Sequence, residues 1–130
     1  MHPTVFVFGN PIVPHDAAPF HLLPTLRSAL PHIIFQETDP NEEREYPREV
    51  VILDTIVGST RVTLFESLDL FETAPRASCH DFDAYALFRL LQKLGKVERV
   101  HIVGVPPVYT ESVCADVVDM LSKIFPTSQK

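Results

Sequence analysis

Val50-Val51-Ile52-Leu53-Asp54, then Val57-Gly58-Ser59-Thr60, then Arg61-Val62-Thr63-Leu64-Phe65: the reading of this stretch decides the fold. Val50 to Leu53 is a continuous apolar run, the pattern of a strand buried on both faces, and it ends in a carboxylate. The β-branched residues between Arg61 and Phe65 suit another strand. The link between the two is too short for a crossover helix, so the later strand is expected to run antiparallel to the earlier one, as a hairpin.

Upstream, Val5-Phe6-Val7-Phe8 is a short apolar strand ended by Gly9-Asn10-Pro11. From Pro19 to Leu30 the residues Phe20, Leu22, Leu23, Leu26 and Leu30 recur at helical spacing, with Pro19 suited to the first turn and Pro24 costing an internal hydrogen bond. Ile33-Ile34-Phe35 reads as a strand, and Glu37 to Arg48, polar and acidic, as a loop. Downstream, Asp83 to Lys93 is the strongest helical pattern, with Ala84, Ala86, Leu87, Leu90 and Leu91 on one stripe and Gly95 placed as a C-cap. Val97 to Val103 is a further strand and Glu111 to Ile124 a last helix. Strands alternate with helices except at the hairpin. The expected fold is α/β, three layers in the order α/β/α, with a five-stranded mixed, mostly parallel sheet holding one antiparallel strand. No repeat or interdomain linker breaks the chain, so residues 1–130 read as one domain.

The formal net charge of -6 argues against a nucleic-acid or anionic-membrane partner. No apolar stretch approaches the roughly 20 residues that span a bilayer. Cys79 and Cys114 are too few for a disulfide framework, and Met1-His2-Pro3-Thr4 has neither a basic segment nor a cleavage site around it. These features lead to the expectation of a monomeric cytoplasmic protein with free thiols.

In a sheet of this kind ligands bind beyond the carboxyl ends of the strands, near the switch in strand order. Three segments qualify: residues 9–19, 54–60 and 75–82. The first brings Asp16, which reads either as a helix N-cap or as a ligand. The second begins with Asp54, which must be solvated, hydrogen-bonded or bound, and which also suits a cap of its own turn. The third holds Ala77-Ser78-Cys79-His80-Asp81-Phe82-Asp83 directly before the helix, with His80 as an exposed residue, a cap or a ligand. Two carboxylates and one imidazole from three loops form a three-ligand set with an open position, of a kind that suits Zn²⁺, Ni²⁺ or Cd²⁺. No HExxH or CxxC spacing accompanies it. A Cys79–His80 nucleophile is disfavoured, because residues adjacent in sequence rarely face each other. Ser78 lacks an elbow motif. Cys114 reads as a core residue and His101 as strand packing; His2, His21 and His32 have no acidic pattern around them, while His15 adjoins Asp16.

Taken in order, these pieces resemble the hydrogenase maturation proteases. A first strand runs into Gly9-Asn10, with an acidic residue, Asp16, a few positions on; a third strand ends in Val51-Ile52-Leu53-Asp54; Ser78-Cys79-His80 opens a helix; and the next strand ends in Ile102-Val103-Gly104-Val105-Pro106-Pro107. The resemblance implies an endopeptidase that trims the C-terminal extension of a nickel hydrogenase large subunit. It further implies that Asp16, Asp54 and His80 contact nickel carried by that client or by a related metalloprotein, with Zn²⁺ or Cd²⁺ as surrogates. Asp16 or Asp54 would serve as general base. His15 stands where the family has a first acidic residue, and Glu37-Thr38-Asp39-Pro40-Asn41-Glu42 replaces its Gly-Thr turn. These departures keep two alternatives open: a non-catalytic metal-sensing or client-binding module of the same fold, and a small-molecule-binding α/β domain whose three residues are caps.

Overall fold

The computed structural model describes residues 2–9, 12, 17–39, 42, 44–56, 58–68 and 79–126, with 79–84 described by their backbone alone. Along the chain these form β1 (Thr4–Val7), α1 (Ala18–Ala29), β2 (Ile34–Glu37), β3 (Glu49–Thr55), β4 (Thr63–Phe65), α2 (Cys79–Lys93), β5 (Arg99–Val105) and α3 (Glu111–Ile124). One five-stranded sheet has the order β2-β1-β3-β5-β4. All neighbours are parallel except β4, which is antiparallel to β5.

The two faces of the sheet carry separate cores, as period-two alternation requires. Val5, Val7, Val51, Leu53, Val103 and Val105 pack against Leu22 and Leu26 of α1 and against Cys114, Val117 and Leu121 of α3. Phe6, Phe8, Val50, Ile52, Val100 and Ile102 pack against Phe88 of α2. The arrangement is therefore the three-layer α/β/α fold with one antiparallel strand. Among the described residues, no helix is long and apolar enough to cross a membrane.

Two expectations are corrected. The fourth strand has the expected direction but makes no hairpin with β3. Both edges of β3 are taken, by β1 on one side and by β5 on the other, where seven residues pair from Glu49↔Arg99 to Thr55↔Val105. β4 offers only three paired residues and lies on the far side of β5, through Thr63↔Gly104, Leu64↔Val103 and Phe65↔Ile102. The segment between β3 and β4 thus crosses the end of β5, where the Ile56 amide donates to the Val105 carbonyl at 2.8 Å.

The second correction concerns α2. It begins at Cys79, four residues earlier than expected, so His80 stands within its first turn and not in a loop before it. Asp81 then falls in the first turn as well, and Asp83 just after it. The buried stripe also differs. Phe88 is fully buried, with Tyr85, Leu87 and Leu91 packed beside it, while Ala86 and Leu90 are exposed. The side chain of Ala84 lies outside the described residues. The helix turns to bury its aromatic residues, whose larger apolar area outweighs that of alanine. Its end is as expected: Gly95 adopts φ 75°, its amide donates to the Gln92 carbonyl, and the Lys96 amide reaches back to Leu91, which is a Schellman cap.

Candidate active site at the carboxyl edge of the sheet

Strand order reverses between β1 and β3, since β1 leads through α1 to β2 on one side and β3 follows on the other. In open α/β sheets ligands bind at such a reversal, beyond the carboxyl ends of the two strands. β1 ends there: the Phe8 amide donates to the Leu53 carbonyl at 2.9 Å, and Gly9 then takes φ 139°, a backbone angle that a residue with a Cβ rarely adopts. The chain leaves the sheet at the level of Asp54.

Asp54 sits in the last turn of the β3 pleat, only 2% exposed. It shares a face with Val50 and Ile52, the face covered by α2. Its Oδ1 accepts the amide of Thr55 at 2.8 Å, a buried bond that fixes the carboxylate against its own strand. Such a bond favours the charged form and lowers the cost of holding a carboxylate in a buried place. The own-turn bonding anticipated for Asp54 is thus present in part. Thr55 itself was not singled out by its sequence, yet it is 1% exposed, and its hydroxyl is buried with no hydrogen-bond partner among the described residues. The only sequence signal was its place directly after an acid at a strand end.

The other two site residues are less fully described. Asp16 lies outside the described residues; the N-cap position of α1 falls on Ala17, one residue later, which provides no side-chain cap. His80 is the second residue of α2, and its side chain lies outside the described residues. The direction of α2 is clear from its contacts. Near its end the Gln92 side chain donates to the Glu98 carbonyl just before β5, whereas Phe88 stacks on Phe8 at the carboxyl end of β1, ring centroids 6.2 Å apart. The helix therefore runs back against the strands, and its first turn belongs to the same end of the sheet as Asp54. Among the described residues, no group of three His, Cys, Asp or Glu side chains is placed to hold a metal ion. Cys114 is a buried free thiol in the core, and His101 is a half-buried strand residue, as expected.

Gly104 faces Asp54 in the β3–β5 register and Thr63 in the β4–β5 register. A Cβ at this position would run into Cγ1 of Ile56 and come within 3.2 Å of the Phe65 ring. The glycine therefore lets the crossing segment lie flat over β5, beside Asp54. Gly104→Ala is expected to destabilise the fold by about 1–3 kcal/mol through overpacking. A urea denaturation curve would show this as a lowered midpoint; an unchanged midpoint would contradict the close approach.

The architecture has known counterparts. The hydrogenase maturating endopeptidase HybD from E. coli superimposes with a TM-score of 0.70 at 15% identity, over 95% of this chain and 91% of HybD. The chain has the fold of the hydrogenase maturation endopeptidases. The NiFe hydrogenase maturation protease HybD from Thermococcus kodakarensis gives 0.64 at 20% identity, covering 95% of this chain and 99% of that one. An endopeptidase from E. coli, solved in solution, gives 0.59 at 16% identity over 95% and 90%. No family model and no curated protein matches the sequence. The likeness to the maturation endopeptidases is one of fold.

Proposed function

We propose that this chain is a metal-dependent endopeptidase of the hydrogenase-maturation type. It acts as a single domain, residues 1–130, and removes the C-terminal extension of a nickel-loaded hydrogenase large-subunit precursor or a related metalloprotein. The observation that carries the reading is Asp54: a carboxylate buried at the end of β3, anchored by the Thr55 amide, at the switch point of a sheet shared with the HybD endopeptidases. We read the protein as a cytoplasmic monomer with no nucleic-acid or membrane partner.

Asp16, Asp54 and His80 make the metal contacts in this proposal. Carboxylate oxygen and imidazole nitrogen suit Ni²⁺, and equally Zn²⁺ or Cd²⁺ as surrogates. The client's nickel, when bound, supplies Lewis-acid polarisation of a carbonyl or water. The chain's own residues do the rest. Asp54 is held in one orientation by its bond to Thr55, so no reorganisation is needed when a cationic group arrives. Asp16 or Asp54 takes the proton of the attacking water and returns it to the departing amine.

Calorimetric titration with Ni²⁺, Zn²⁺ and Cd²⁺ tests the contacts. One-to-one binding is expected for the wild type, with loss in both Asp54→Ala and His80→Ala. Undiminished binding in either variant would remove that residue from the site. The altered first loop, with His15 before Asp16, favours one competing reading, a metal-sensing or client-binding module without cleavage. That module would bind the client and leave its mass unchanged.

A further inference from the structure

A cavity of ≈350 Å³ lies at the opposite, amino edge of the sheet, between the segment leading into β3 and the C-terminal turn of α2. Its walls include Arg44, Tyr46, Arg48 and Lys96, with Leu91 beneath and one acid, Glu45. Three of the chain's 11 Lys and Arg residues thus meet at one cavity of a protein whose net charge is -6.

The cations are weakly engaged. Arg48 pairs with Glu98 at 3.4 Å, both exposed, and Arg44 reaches Glu42 only at 3.9 Å. Solvent screens pairs of this kind. Two donors are left over. Nε of Arg44 and the Tyr46 hydroxyl are buried, and among the described residues neither has a hydrogen-bond partner. Buried polar groups are normally paired, and an unpaired one forfeits its hydration without return. Tyr46 is held in place by its ring, which meets Phe6 at 5.0 Å and Phe88 at 4.9 Å, both edge-on. The Arg44 guanidinium lies 5.9 Å from the Phe6 ring centroid. Burial raises the Tyr46 pKa, with Glu42 and Asp39 adding to the rise and Arg44 opposing it, so its hydroxyl keeps its proton and donates.

We propose that this cavity binds a phosphate group, with Arg44, Arg48 and Lys96 supplying charge and the Tyr46 hydroxyl a directed hydrogen bond. Guanidinium forks and a phenol donor match a tetrahedral oxyanion, which has acceptors enough for all of them. Glu45 is the one acid in the wall; Glu42 and Glu98 stand outside it, and a phosphate would exchange for their weak pairs with Arg44 and Arg48. The site is separate from Asp54, lying at the other end of β3.

The test is an NMR titration of the whole chain with inorganic phosphate at constant ionic strength, with chloride as control. Saturable shifts confined to the amides of residues 44–46, 48 and 95–97 are expected. Lys96→Gln and Tyr46→Phe should each weaken binding by about tenfold, the loss of one charged or directed hydrogen bond. Lys96 is exposed, and Tyr46→Phe deletes only a hydroxyl that has no partner among the described residues, so both variants should fold. Asp54→Ala should bind phosphate as the wild type does. Shifts that fail to saturate, shifts matched by chloride, or affinity unchanged in both variants would overturn the proposal.

Discussion

Asp54→Ala is expected to slow client processing by about 10²- to 10⁴-fold, the usual contribution of a positioned acid or base. The position permits little compensation. The carboxylate is 2% exposed, so bulk solvent cannot replace it, and the Thr55 amide that it accepts is buried with it. Alanine also leaves that amide without its side-chain acceptor, at a cost of about 1–3 kcal/mol in stability. Asp54→Asn separates the two effects. It keeps an acceptor for Thr55 and loses the charge, so it should fold like the wild type and still fail to process. Turnover of the precursor, followed beside the thermal melting of each variant, reads both. Normal turnover by Asp54→Asn would place the chemistry elsewhere.

Phe88→Ala should be the most damaging change away from the site, at about 3–5 kcal/mol. Phe88 is fully buried, stacks on Phe8 and meets Tyr46 edge-on, so its removal empties the centre of the α2-side core. Domains of this size are stable by only about 5–15 kcal/mol. The loss would fall first on α2, which sets the position of His80, so metal affinity should drop together with stability. Leu90→Ala, two residues on, is the control. Leu90 is 53% exposed, and its truncation should change stability by no more than about 0.5 kcal/mol. Equal losses from the two in urea denaturation would show that α2 packs through a different face.

The contrast between Phe88 and Leu90 marks a boundary of what residue patterns reveal. β3 was legible because a strand buried on both faces reads as an unbroken apolar run, and the bounds of α3 were legible from its periodicity. The direction of β4 followed from the shortness of its connection. Its partner did not, because pairing is a competition. A seven-residue ladder between β3 and β5 outweighs the three residues that β4 can offer, and no local pattern near Arg61 to Phe65 records that. The inward face of α2 escapes the local pattern for a similar reason. Ala86 and Leu90 fit a helical stripe as well as Phe88 does, and only the aromatic neighbours Phe8 and Tyr46, distant in sequence, decide which side turns inward.

At the site the same division holds. Asp54 announced itself, since a carboxylate closing an apolar strand calls for a partner or a purpose. Its anchoring by the Thr55 amide was invisible, because a backbone donor carries no sequence signature. The need for glycine at position 104 was equally hidden, arising from Ile56 lying across β5.

The central claim, cleavage of a nickel-bearing client, is tested most directly by the mass of that client. A nickel-loaded hydrogenase large-subunit precursor incubated with the protein should lose its C-terminal extension in one cut, and the nickel-free precursor should not. A nickel-loaded precursor whose mass stays unchanged while the protein binds it would contradict the account and establish a non-catalytic module in its place.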